Sequence, residues 1–245
     1  MPAPVPDRET ALLEAFVRLT DTLVADFDVL DLLHGLTVDC VGLFPTAAAG
    51  LLLSDHRGTL DLVASSSEAA RLVELFQLQA DEGPCLDCYR SGHPVSAPDL
   101  AEAGHWPRFT AHADERGFRS VHAVPMRLRG DTIGALNLFG TEPGALPAAD
   151  LRVAQALADA ATITILQERG QDTEREVTDR LQTAFRRRAI IEQAKGVLAE
   201  IGGLDMGEAF IRLREHAHQS HRPLTILAHD IVSRASGTDF LHQTD

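Results

Sequence analysis

The sequence predicts an α+β protein in two parts: a mostly antiparallel sheet flanked by helices, then a long connecting helix that enters an all-α three-helix bundle. Three observations predict this. Up to about residue 146, short apolar runs joined by turn residues alternate with stretches of helical spacing. From Pro147 onward the spacing is helical throughout. The charge changes as well: residues 1–170 carry 12 basic and 24 acidic side chains, whereas residues 180–235 carry nine basic against six acidic.

The elements follow in order. Glu9 to Ala25 places Leu12, Leu13, Phe16, Leu19 and Leu23 at helical spacing. Asp28 caps a second helix carrying Leu30, Leu33, Val38 and Val41, with Pro45 beyond its end. AAAGLLLSDHRGTLDLVAS gives two strands turning at Asp55 to Gly58. Ser65 and Glu68 stand at capping-box spacing ahead of a third helix. Asp81 to Gly117 holds four prolines, four glycines and three histidines and reads as loops with short elements. SVHAVPMRLRGDTIGALNLFG is a second hairpin, turning at Arg129, Gly130 and Asp131.

Pro147 suits a first helical turn, and Asp150 suits the dipole there. The helix continues past Leu151, Ala154, Leu157, Ala160 and Ile163 to about Glu200, weakened at Gly170 and the polar run after it. After the Gly202-Gly203 break, Asp205 and Glu208 resemble a capping box opening a helix that buries Met206, Phe210, Leu213 and Ala217. Pro223 opens the last helix, with Leu224, Leu227, Ala228, Ile231 and Val232 on one stripe. The expected domains are a sheet domain over 1–168, a helical linker over 169–180 continuous with its flanking helices, a three-helix module over 181–236 and a tail over 237–245.

Composition excludes several classes. A net charge of −14 opposes indiscriminate binding to nucleic acid or anionic lipid. The start MPAPVPDRET has neither a basic nor an apolar signal region, and the longest apolar stretch is broken by Pro45, so a cytoplasmic protein without membrane contact is expected. Three cysteines do not form a disulfide framework. No phosphate loop, GxSxG or kinase signature is present, so no catalytic residue is assigned and a non-enzyme is expected.

The basic residues hold one anomaly. Of 22 lysines and arginines only Lys195 is a lysine, inside IIEQAKGVLAE. On a helical wheel Ile191, Ala194 and Leu198 share the core face; Arg188, Glu192 and Lys195 form a neighbouring stripe; Ala189, Gln193, Gly196 and Glu200 form a third. The plain reading of Lys195 is a solvated cation paired with Glu192. Gly196 costs about 1 kcal/mol against alanine, which a closely approaching base or backbone, or tight helix packing, would explain.

LQTAFRRRAIIEQAKGVLAE followed by MGEAFIRLREHAHQSHRPLTILAHDIV closely resembles the ANTAR family of RNA-binding antitermination domains over about residues 178–234. The likeness rests on Arg188, Ile191, Glu192, Gln193 to Gly196, Glu208 to Phe210, Leu213, Arg214, Ala228 and Val232. It implies a dimeric three-helix module that binds paired RNA stem-loops in nascent transcripts and prevents terminator formation. Under it, Gln193 reads a base edge, Lys195 and Arg188 meet phosphate or guanine, Gly196 permits close approach, and Arg214 and Arg222, with His221, are further candidates. The glycine-rich GGLDMG departs from the expected connection.

DEGPCLDCYRSGHPVSAPDL and GFRSVHAVPMRLRGDTIGALNLFG look like the GAF family of small-molecule sensory domains, covering roughly residues 9–168. The resemblance implies a GAF-like fold, homodimer formation through this domain and its exit helix, and a small-molecule ligand of unspecified identity. No cofactor is assigned, and the Asn-Lys-Phe-Asp-Glu motif of cyclic-nucleotide binding is absent.

Cys85 and Cys88 form a CxxC that reads first as packing at a loop-helix junction, second as a redox pair, and third as half of a zinc site with His93 nearby. His93, His105, His112 and His122 show no metal-ligand spacing, so no metal site is assigned. The expected function is a signal-responsive antitermination regulator; the alternatives are a DNA-binding regulator and a GAF-fold thiol-dependent reductase.

Overall fold

The computed structural model describes residues 8–21, 29–55, 58–128, 131–167, 174–220 and 222–233, with backbone alone at 20, 21, 128, 166, 167 and 174–187. Helix α1 (Arg8–Asp21) and α2 (Val29–Leu43) precede strands β1 (Ala48–Ser54) and β2 (Leu60–Ser65). Then come α3 (Glu68–Ala80), α4 (Pro84–Ser91), β3 (Val95–Ala97), a 3-10 turn at Leu100–Glu102 and α5 (Pro107–Glu115). Strands β4 (Ser120–Leu128) and β5 (Asp131–Gly140) complete the sheet, and α6 (Ala148–Gln167), α7 (Glu174–Gly202), α8 (Met206–Gln219) and α9 (Leu224–Val232) follow. The expected continuity of the connecting helix falls on 168–173, outside the described residues.

The five strands are antiparallel in the order β2-β1-β5-β4-β3. Every residue of β1 is buried, because helices cover both faces of the sheet. That explains a continuous apolar run, AAGLLL, where a half-exposed strand would alternate. One face meets α2 and α6 through Leu51, Leu53, Met126 and Leu136. The other meets α3, α4 and α5 through Leu52, Phe109, Val121, Phe139 and the two CxxC cysteines.

Several local expectations change in detail. The cap of α3 is Ser67, whose hydroxyl accepts from the Ala70 amide; Ser65, placed there by spacing, ends β2 instead. On α1, Leu19 is buried but Leu13 is 60% exposed, so the helix presents an apolar edge outward. In the tail, Asp205 caps α8 by accepting from the Glu208 amide at 2.8 Å. The glycine-rich connection before it has a geometric reason. Gly203 takes φ +62°, and the Leu204 amide reaches back to the Ala199 carbonyl, closing α7 in a left-handed cap.

The α8 face buried in the bundle is Ala209, Leu213 and Ala217, while Met206 and Phe210 are only half-buried. These residues join Ile191, Ala194 and Leu198 of α7 and Leu224, Leu227, Ala228 and Ile231 of α9. One apolar core runs from Leu30 and Leu33 of α2 into this bundle, so the two parts of the chain meet.

Candidate nucleic-acid interface

Three stripes of α7 face three environments. Ile191, Ala194 and Leu198 are buried in the bundle. Ala189, Gln193, Gly196 and Glu200 are exposed. Arg188, Glu192 and Lys195, the stripe between, face the sheet domain, where α2, β2 and the start of α3 lie opposite. A Cβ built on Gly196 meets nothing within 4 Å, so packing against the described residues does not account for this glycine.

Lys195 is not the solvated cation of its plain reading. It is 6% exposed. Its Nζ donates to both Glu192 carboxylate oxygens at 3.0 Å and stands 5.5 Å from the centroid of the Phe210 ring. A buried ammonium requires such partners, and the ring's electron-rich face supplies one that needs no lone pair. Phe210 in turn meets the edge of His34 on α2, with ring centroids 4.5 Å apart. Burial, then the charge of Arg214, pushes the His34 imidazole down to about 4, so it is neutral at pH 7.

The other candidates divide. Arg214 reaches across to the sheet domain: its Nε donates to Asp31 Oδ1 on α2 at 2.7 Å, and His218 Nε2 lies 3.3 Å from the other oxygen. Arg188 is half-buried; burial draws its guanidinium pKa down, and its Nη1 has no hydrogen-bond partner among the described residues. Arg222 pairs within its own module with Asp230. Gln193 and Gly196 alone face solvent freely. The structure therefore gathers Arg188, Lys195 and Arg214 on one side, sets Gln193 and Gly196 beside them, and leaves Arg222 apart. His221 lies outside the described residues.

The sheet domain holds a second polar cluster that sequence reasoning missed. Glu74 on α3 is fully buried and accepts from Asn137 Nδ2 on β5 at 2.6 Å and from Gln77 Nε2. Gln77 Oε1 accepts from the Cys85 amide at 3.2 Å. Burial pushes the Glu74 carboxyl up to about 8, against the two donors that pull it down. A neutral carboxyl donates one proton, and turning over the Asn137 amide presents its otherwise unpartnered Oδ1 to receive it. The Gly50 signal was present: a Cβ there would overlap the Glu74 side chain.

Cys85 and Cys88 are free thiols, both fully buried on α4. Burial pushes Cys85 far up and Cys88 up to about 12, which opposes the thiolate that redox exchange or metal binding requires. Trp106 and Phe109 are core residues, and the Trp106 indole donates to Asp87 at 2.9 Å. The histidines are dispersed: His112 stacks on Phe76, His105 meets Trp106 edge-on, His93 bonds Ser91, and His122 is buried beside Gly144 and Leu146. Among the described residues no His, Cys, Asp or Glu group could hold a metal ion, and no helix is long and apolar enough to cross a membrane.

The chain thus joins an antiparallel sheet covered on both faces to a three-helix module. The chain belongs to the GAF domain family, which it matches over residues 28–166, and residues 179–232 match the ANTAR domain. Solved structures share the fold of the front part. The GAF domain from an Acinetobacter phosphoenolpyruvate-protein phosphotransferase is 18% identical, with a TM-score of 0.53 over 66% of this chain and 97% of that one. The corresponding domain from Coxiella burnetii is 17% identical, with a TM-score of 0.52 over 65% and 95%. The free methionine-R-sulfoxide reductase from Neisseria meningitidis, solved with its substrate, is 18% identical, with a TM-score of 0.51 over 68% and 97%. No curated protein shows significant sequence similarity to the chain.

GAF and ANTAR domains are regulatory, and together they make this chain a signal-sensing regulator of antitermination type.

Proposed function

We propose that the chain is a cytoplasmic regulator that binds tandem RNA stem-loops as a homodimer and prevents formation of a transcription terminator, under control of a small-molecule signal at its GAF domain. The observation that carries this reading is the ANTAR match over 179–232, because it falls on the helices that bear Arg188, Gln193, Lys195, Gly196 and Arg214. Structured RNA presents loop bases for hydrogen bonding and phosphates for cations. Gln193 supplies the first, Lys195, Arg188 and Arg214 the second, and Gly196 leaves open space for a base to approach. Arg222 is a weaker contributor because Asp230 holds it.

Dimerisation is supported by exposed apolar residues on two helices of the front domain: Leu13 and Val17 on α1 and Ile163 on α6. A second copy covering them would bring two output modules together, and two linked weak sites bind far more tightly than one.

The test is binding of the purified chain to a tandem stem-loop RNA from the upstream regions of its own genome, against duplex DNA of matched length. Salt-sensitive binding that needs both stem-loops and weakens in Lys195→Ala and Gln193→Ala is expected. Preference for duplex DNA, or the absence of RNA binding with the front domain both present and deleted, would overturn the reading.

A further inference from the structure

The cations that would meet RNA are turned toward the front domain, and that domain answers each with an acid. Arg214 is bonded to Asp31 of α2. Lys195 lies close enough to Glu68 at the start of α3 to help hold that carboxyl below its usual range, after the larger effect of Arg71. Arg188 acts in the same sense on Asp61 of β2, although burial and Asp55 raise that group overall. Among the described residues one sensor cation opposes this pattern: Arg71, which is repelled by Arg188 and attracted by Glu192.

We propose that the α2-β2-α3 face of the sensor is an intramolecular partner for the output module, and that it competes with RNA for Arg188, Lys195 and Arg214. The proposal rests on the RNA-binding reading. Its physical basis is that Asp31 holds Arg214 as a phosphate oxygen would, that Asp61 and Glu68 add negative charge near Arg188 and Lys195, and that a lysine that is 6% exposed cannot also reach a phosphate. RNA binding therefore requires the two faces to separate.

The face is built to separate. Its direct ion pair is half-exposed, with the Arg214 side chain 32% and the Asp31 side chain 25% accessible, and such pairs hold weakly. Beside it lies a cleft of about 640 Å³ bordered by His34, Val38, Arg71, Phe210, Ile211 and Arg214, so the modules meet without filling the space between them. Val38 and Ile211 remain exposed along it. The acidic front and basic tail favour the docked state over distances that salt screens.

Because Lys195 is the only lysine, an amine-acylating reagent reads the docking directly. Peptide mapping of the full chain separates its modification from that of the terminal amine. Slow acylation of Lys195 in the wild type is expected, with a rise of about threefold in Asp31→Ala, corresponding to about 0.7 kcal/mol of docking. The charge exchange Asp31→Arg with Arg214→Asp should restore protection. A wild-type rate equal to that in denaturant, or one unchanged in Asp31→Ala, overturns the docking.

The second arm is RNA binding. Asp31→Ala should bind tandem stem-loop RNA about threefold tighter than wild type, with Lys195 protected again once RNA is bound. Equal RNA affinity for a protected wild type and a released Asp31→Ala overturns the competition. Release of Lys195 in Asp31→Ala with no RNA bound by either chain overturns the RNA reading and the competition with it, and leaves the docked interface standing.

Discussion

Glu74 and Lys195 are both ionisable side chains withdrawn from water, and the chain treats them in opposite ways. Glu74, inside the sensor, gives up its charge: burial raises its carboxyl to about 8, and Asn137 and Gln77 close around it. Lys195, between the sensor and the output module, sits on a carboxylate and an aromatic ring. A group that has given up its charge and is closed in by its own hydrogen-bond partners offers nothing for a competing ion to take, so it belongs to a permanent interior. A group held by pairing can be handed to another partner of the same sign. The difference separates what this protein keeps closed from what it can open.

The largest effect is expected at the permanent site. The folded-state value of Glu74 lies above its ordinary 4.5, so the folded state binds the extra proton between about 4.5 and 8. Its contribution to stability is full below pH 4.5 and is lost as pH rises through 8. Chemical denaturation of Glu74→Gln should lack that slope. At pH 9 the variant should exceed the wild type by a few kcal/mol, on the order of what a shift of this size implies. Equal pH slopes in the two chains would mean that Glu74 is charged in place.

A smaller effect is expected where pairing dominates. Phe210→Ala removes both the ring under Lys195 and the edge contact with His34, and should weaken docking by about 1–2 kcal/mol, read as faster acylation of Lys195. His34 titration by NMR gives a second measure. Arg214 and Lys195 oppose its protonation, while Asp31 on its own helix and the Ser65 carbonyl favour it. With the folded value lowered to about 4, the docked state is fully supported above pH 6.5 and loses support as pH falls toward 4. In Phe210→Ala the His34 value should return toward 6.5.

The smallest effect belongs to Gly196→Ala. With open space around it, the methyl group should stabilise α7 by about 1 kcal/mol in thermal unfolding. Loss of RNA affinity in a chain stabilised in this way would mark the glycine as kept for a ligand.

The parts of this picture that sequence could supply are those governed by neighbours along the chain. Asp205 stands three residues before Glu208, and the cap follows from that spacing alone. Both hairpins follow from turn residues between apolar runs. Three consecutive serines before α3 offer three possible caps, and the choice of Ser67 depends on where β2 stops pairing with β1. The stripes of α7 were legible, and Gln193, Gly196 and Leu198 lie where periodicity puts them. That Lys195 faces inward was not legible, because its shelter comes from Phe210, fifteen positions on, and from a sensor surface more than a hundred positions away. Phe210 was itself assigned to the bundle core because a helical stripe does not say which of two neighbours it will meet. Glu74 was passed over since a lone glutamate on an amphipathic helix normally faces water.

The apolar core that passes from Leu30 and Leu33 through Ile191 and Leu198 to Leu213 has a thermodynamic corollary. Segments that share buried surface lose it together, so the docked chain should melt in one calorimetric transition with a van't Hoff enthalpy matching the total heat. Once the faces part, the helical module keeps Ile191, Ala194, Leu198, Ala209, Leu213, Ala217 and the α9 stripe, a small core for some fifty residues. The released output module should then melt first and separately, so the state competent for RNA is also the less heat-resistant one.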